Sequence, residues 1–187
     1  KSRSRGLGDV YKRQALYNDN QVAWYENDGT PSDGGWTHHI VKDYSGNGIE
    51  DLFVADIDDD GDLDIISADG SGDKILYHIN DGTPGNGAWT TNTVISGSDA
   101  DGAMSVHVAD IDSDGDLDIV AALFMTSHVV WVENDGSPNN GGWTSHDVVS
   151  SSSSKESYDV TVADIDGDGD LDILEADQSC LLYTSDA

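Results

Sequence analysis

Asp110-Ile111-Asp112-Ser113-Asp114-Gly115-Asp116-Leu117-Asp118 is the stretch whose reading decides the fold. Related stretches run from Asp56 to Asp64 and from Asp164 to Asp172, each starting 54 residues from the central one. Five carboxylates in nine residues repel one another. At about 4 Å two unit charges repel by roughly 1 kcal/mol in water and about 4 kcal/mol at an effective dielectric of 20, so a compact loop of this composition needs a counter-charge. A solvated acidic run is the plainer alternative, but such a run has no reason to repeat its glycine, isoleucine and leucine in register.

The spacing points to calcium. Side chains at loop positions 1, 3 and 5 (Asp110, Asp112, Asp114) can turn toward one point, position 7 (Asp116) can offer its carbonyl, and position 9 (Asp118) closes the shell. Calcium takes six to eight oxygens at about 2.3–2.6 Å and tolerates irregular cages. Position 6 is glycine in all three copies (Gly61, Gly115, Gly169), as a chain wrapping an ion requires where φ must turn positive. Positions 2 (Ile57, Ile111, Ile165) and 8 (Leu63, Leu117, Leu171) are apolar, which predicts that they pin the loop to a core. An EF-hand or dockerin loop starts alike but places a bidentate acid at position 12 with a helix behind it. Here position 12 is Ser67, Ala121 or Glu175, and the residues after position 9 alternate as a strand does.

The period organises the rest of the chain. Repeats of about 40–50 residues mark propellers and solenoids. In each unit a first strand (Leu52–Ala55, Val106–Ala109, Val160–Ala163) precedes the acidic loop, and a second follows it (Leu63–Ala68, Leu117–Ala122, Leu171–Ala176). The third strand is Gln21–Tyr25, Ile75–Ile79 or Val129–Val132, ending in Asn27-Asp28-Gly29-Thr30-Pro31, Asn80-Asp81-Gly82-Thr83-Pro84 or Asn134-Asp135-Gly136-Ser137-Pro138. Asx-Gly before proline punctuates a strand connection. The fourth strand opens with Trp36, Trp89 or Trp143 and runs to Val41, Ile95 or Val149, followed by polar connectors at 43–48, 96–102 and 150–157. Four short strands per repeat without helical periodicity predict an all-β chain of β-propeller blades, each of four antiparallel strands. About three blade equivalents make an incomplete propeller, with blade parts at 15–48, 49–102, 103–157 and 158–179, the first holding only strands three and four.

The ends read differently. GAT GTG TAT AAG AGA CAG encodes Asp9 to Gln14, and its reverse complement, read one base in, encodes Cys180 to Ser185. Residues 1–14 and 180–187 are therefore expected to be translated sequencing adapter, leaving 15–179 as the propeller fragment. That segment keeps Lys42, Lys74 and Lys155 against 35 acids, a net charge near −32. Such a field repels nucleic acid and anionic membranes and attracts cations. No stretch reaches the ~20 apolar residues of a membrane span. The only cysteine, Cys180, lies in the expected adapter, so the segment has no thiol, in keeping with an extracellular setting.

Val-Ala-Asp before the acidic loop and Leu-Asp-Ile after it resemble the FG-GAP or VCBS repeat family, which includes the calcium-binding blades of integrin α-subunit propellers. The resemblance covers Ala15 to Ser179 and implies three calcium sites. Their ligands would be Asp56, Asp58, Asp60, Asp62 through its carbonyl, and Asp64, with the same roles on Asp110, Asp112, Asp114, Asp116, Asp118 and on Asp164, Asp166, Asp168, Asp170, Asp172. The Phe-Gly and Gly-Ala-Pro signatures are absent, which favours a bacterial VCBS-type repeat over an integrin.

The expected function is a calcium-binding repeat module of a secreted or cell-surface protein, joined to further blades of a parent chain, that binds a glycan or an extracellular protein in adhesion or scaffolding. The alternative is part of a propeller-type carbohydrate-active enzyme, a lyase or dehydratase. If strands alternate in direction, the calcium loops and the Asn-Asp-Gly turns share one face, and the loops after strands two and four form the other. There Phe124 and Met125 replace Gly70 and Ser71, either as a contact point or as packing between blades. His39 and His146 recur three residues after Trp36 and Trp143, with Asn92 between them in the repeat, and read as blade architecture; His38, His78, His107 and His128 show no metal-ligand spacing.

Overall fold

Apolar residues two apart place a row of side chains on each face of a strand, and most rows here find cover on an adjacent sheet. The structure is a computed structural model that describes residues 14–16, 21–44, 48–150 and 155–179. The first sheet holds β1 (Gln14–Leu16), β2 (Gln21–Asn27) and β3 (Trp36–Asp43). The second holds β4 (Ile49–Ala55), β5 (Asp64–Asp69), β6 (Lys74–Ile79) and β7 (Thr90–Ser96). The third repeats it with β8 (Ala103–Ala109), β9 (Asp118–Leu123), β10 (His128–Asn134) and β11 (Trp143–Ser150), and β12 (Lys155–Ala163) pairs with β13 (Asp172–Ser179) in the fourth. All pairings are antiparallel between sequence neighbours, the meander of a propeller blade. The chain is an all-β, incomplete propeller: two whole blades flanked by parts of two more.

The core lies between sheets. Val22 and Val41 of the first sheet meet Ile49, Leu52 and Ile65 of the second. Ile66, Ile75 and Tyr77 of the second meet Val106, Val108 and Ile119 of the third, and Val120, Ala122 and Val129 of the third meet Val160 of the fourth. Strands β5 and β9, covered on both faces, are buried along their whole length. Each fully buried branched side chain contributes about 1.5–3 kcal/mol, so the sheets hold one another rather than each folding around its own centre.

Three features depart from the sequence expectation. First, the first sheet has a third strand, β1, where only strands three and four were expected. Ala15 pairs with Val22 as Ala122 pairs with Val129, so β1 is the end of a strand two, too short to show alternation. It begins at Gln14, the last residue of the expected adapter stretch, whose other residues, 1–13 and 180–187, lie outside the described ones. Second, strand one starts three residues early in β4 and β8 and five early in β12, which takes up Lys155 to Ser157, expected as connector. The cause is a bulge: Glu50, Met104 and Tyr158 are skipped in the pairing with strand two, which breaks the two-residue alternation. Strand four carries a matching bulge, with Val41, Val94 and Val148 skipped. Third, Leu63 is 46% exposed and Ile165 63% exposed, so these two do not pin their loops, whereas Ile57 is buried and Leu117 packs on the core.

The first strands β4, β8 and β12 lie side by side. Asp51 on β4 accepts the backbone N–H of Val106 at 3.0 Å, and the Ser105 hydroxyl lies 3.0 Å from Asp51 Oδ2 and 2.9 Å from Asp159 Oδ1. The Val160 N–H in turn points to Ser105 Oγ at 3.5 Å. Residues 51, 105 and 159 are one position of the repeat, used three times to join adjacent sheets.

Candidate metal centre

Each acidic loop folds on its own backbone through its carboxylates. Asp56 accepts the N–H groups of Asp60 and Gly61 at 3.1 and 3.0 Å, Asp110 those of Asp114 and Gly115 at 3.1 Å each, and Asp164 those of Gly167 and Gly169 at 2.7 and 3.1 Å. Position 5 accepts the N–H of position 7 in all three: Asp60 from Asp62, Asp114 from Asp116 and Asp168 from Asp170. Position 6 has φ of +93°, +103° and +101°, as its glycine predicts. Position 4 is left-handed as well, at Asp59 (+55°), Ser113 (+62°) and Gly167 (+80°). That second turn was missed from the sequence, although the glycine at 167 signals it.

The turns gather oxygens. One ligand atom from each of Asp56, Asp58 and Asp60 lies within 4.8 Å of the others, as for Asp110, Asp112 and Asp114 and for Asp164, Asp166 and Asp172. Positions 1, 3 and 5 thus converge in the first two loops and positions 1, 3 and 9 in the third; Asp168 is outside the third group. Two oxygens on one cation at about 2.3–2.6 Å can stand up to roughly 5 Å apart, so these separations suit a shared ion.

Position 9 has a further duty in the two whole blades. Asp64, fully buried, accepts the Ile57 N–H at 3.2 Å, the Tyr77 hydroxyl at 2.8 Å and the Asn80 N–H at 2.8 Å. Asp118, equally buried, accepts the N–H groups of Ile111 at 3.1 Å and Asn134 at 2.9 Å. The amides of Asn80 and Asn134 donate to the carbonyls of Leu63 and Leu117 at 3.1 and 3.2 Å and accept from Gly82 and Gly136 at 3.1 Å each. The loop is bolted to the end of strand three through position 8's carbonyl, which frees the Leu63 side chain. Position 7 faces the same turn: a Cβ on Gly82 would stand 2.8 Å from Asp62 Oδ2, and one on Gly136 the same distance from Asp116 Oδ2. The acidic loops and the Asn-Asp-Gly turns therefore share one face.

Burial sets the charge states. It raises Asp64 to about 6, against the opposing pull of its hydrogen bonds, and it raises Asp118 and Asp56 above the ordinary carboxylate range. A cation beside them would reverse that direction. The donors are hard oxygens without sulfur or imidazole, the chemistry of calcium and magnesium. Asp58 Oδ1 is a buried oxygen without a hydrogen-bond partner, a state that costs about 1–3 kcal/mol unless something fills it. On both counts the residues of the first loop fit a divalent cation.

The histidines occupy other parts of the sheets. His39 stacks on Trp24 at 4.2 Å and meets Glu26 at 3.0 Å; His146 stacks on Trp131 at 4.6 Å and meets Glu133 at 2.7 Å. His78 is buried between Ser67 and Thr91, and His107 lies against Phe53. On the opposite face Phe124 packs edge-on against Tyr158 of the fourth sheet at 5.1 Å, while Met125 is 68% exposed. No helix among the described residues is long and apolar enough to cross a membrane, which says nothing about β-barrels.

A family model described as an FG-GAP-like repeat matches residues 56–121 and 122–175. No curated protein matches the chain. Among solved structures, one similar fold is that of an Agrocybe aegerita lectin, whose title describes specific recognition of non-reducing terminal N-acetylglucosamine. It is 21% identical with a TM-score of 0.51, over 90% of this chain and 47% of that one. The chain thus spans about half the length of that lectin.

Proposed function

The chain belongs to the FG-GAP-like repeat family, and on that premise we propose that it is a calcium-stabilised glycan-binding module of a secreted or cell-surface protein. The carrying observation is the convergence of three carboxylates in each of three loops, with the buried, unpartnered Asp58 Oδ1 in the first of them. Asp56, Asp58 and Asp60 would hold one calcium, Asp110, Asp112 and Asp114 a second, and Asp164, Asp166 and Asp172 a third. Asp62, Asp116 and Asp170 would add carbonyls, and Asp64, Asp118 and Asp168 complete the sets the sequence gives. Irregular cages of this kind suit extracellular calcium, at affinities as weak as about 10⁻⁴–10⁻³ M. The ion supplies the positive charge that offsets loop repulsion.

Glycan binding is supported by the lectin-like fold and by the face opposite the acidic loops, where Met125 is exposed beside the Phe124–Tyr158 pair. The test is a thermal melt with calcium and with a chelator. Each site held at 100 times its Kd contributes about 2.7 kcal/mol, so chelation should lower Tm by many degrees. An unchanged Tm would remove calcium from the reading, and a glycan array without any binder would remove the glycan.

A further inference from the structure

We propose that Asn139, carried by the third sheet, is a positioning residue for the cation loop of the second sheet, so that the 56–64 site is assembled by two blades. Its Nδ2 donates to Asp58 Oδ2 at 2.8 Å across a separation of 81 residues. That bond engages one oxygen of Asp58 and leaves the other, Oδ1, buried and unpartnered. An amide nitrogen can orient a carboxylate but cannot compete with it for a cation.

Asn139 is itself held in place. Its carbonyl lies 3.4 Å from Asn92 Nδ2 on β7, and the preceding Pro138 is buried, its carbonyl accepting the Trp143 indole N–H at 3.2 Å. The Trp143 ring stands edge-on to Tyr77 at 6.4 Å, and Tyr77 donates to Asp64 of the same loop. The neighbouring sheet thus reaches positions 3 and 9 of this loop by two routes. Turn geometry does not explain the residue type. The short 3₁₀ turn Pro138–Asn140 is matched by Pro84–Asn86, where Gly85 stands in the position of Asn139. Among the described residues, the loops at 110–118 and 164–172 receive no such donor from another sheet. Filling the 56–64 loop is therefore coupled to the packing of the second sheet on the third, and the other two loops fill independently of it.

This rests on the reading of the loops as calcium sites, and the experiment separates the two. Calcium alone is titrated calorimetrically into the full chain, into Asn139→Ala and into Asn139→Gly, which reproduces Gly85. One of three binding steps should weaken about 10- to 100-fold in both variants, the range for a residue that orients a ligand. The other two should stay within twofold. The side-chain amide signals of Asn139 should shift with the midpoint of the weakened step, and adding Asn139→Ala to Asp58→Asn should cause no further loss. Three unchanged steps, or three that weaken equally, would overturn the positioning role while leaving calcium binding intact. A wild-type chain that takes up no calcium would overturn the proposed function itself.

Discussion

The loops at 56–64 and 164–172 share their pattern of Asp, Gly and Leu, yet they live in different surroundings. In the first, Ile57 is buried, Asp64 is sealed beneath Tyr77 and Asn80, and a neighbouring blade touches Asp58. In the other, Ile165 is 63% exposed and Asp172 is exposed, accepting the Ile165 N–H at 2.9 Å. Both nevertheless adopt the same left-handed turns, and in both the position 1 carboxylate accepts the N–H of the position 6 glycine. The nine residues specify their own bend, and the neighbouring strands decide how firmly it is held.

The largest effect should come from cutting the position 9 carboxylate. Asp64→Ala leaves three buried donors, on Ile57, Asn80 and Tyr77, without an acceptor, at about 1–3 kcal/mol each. Chemical denaturation in chelator should show a loss of about 3–5 kcal/mol, against less than about 1 kcal/mol for Asp172→Ala. Equal losses would abolish the distinction between the two loops.

Acid should act next, and on the second sheet. Burial is the main force pushing His78 down to about 3, from an ordinary value near 6.5 in the unfolded chain. The unfolded state then binds a proton the folded state refuses, so stability from this group is complete above pH 6.5. It falls by up to ~1.4 kcal/mol per unit as pH drops toward 3. In the cation-free chain Asp64, raised to about 6, offsets part of that loss because its folded form takes up a proton first. Hydrogen exchange should show the protection of β5 and β6 falling as the pH drops, and His78→Gln should flatten the slope. A wild-type slope retained in the variant would assign the acid response elsewhere.

The smallest effect concerns position 4. Gly167→Ala should cost about 1 kcal/mol because alanine resists φ near +80° with nothing nearby to relieve it, whereas Asp59→Gly should change stability by less than about 0.5 kcal/mol. A Gly167→Ala variant as stable as the wild type by denaturant midpoint would mean the third loop is not held in this bend.

The sequence made the architecture legible because 54-residue periodicity and turn chemistry act locally: the glycine at position 6 and the Asn-Asp-Gly turns needed no tertiary knowledge. What it concealed was decided by distant residues. Glu50, Met104 and Tyr158 break strand alternation only once their partners are known. Asp64 reads as one ligand among five until Tyr77 and Asn80 are found upon it. Asn139, 81 residues from Asp58, carries no spacing signal at all.

The contact of Asp51 with the Val106 N–H has a consequence for solubility. Unpaired amides along an outermost strand can recruit foreign polypeptide into a growing ribbon. Here a side chain from the adjacent sheet already occupies that donor, and Ser105 approaches the next one at Val160. Two amides of this rim are thereby withheld from strand addition, by the same repeat position that keeps the sheets in order.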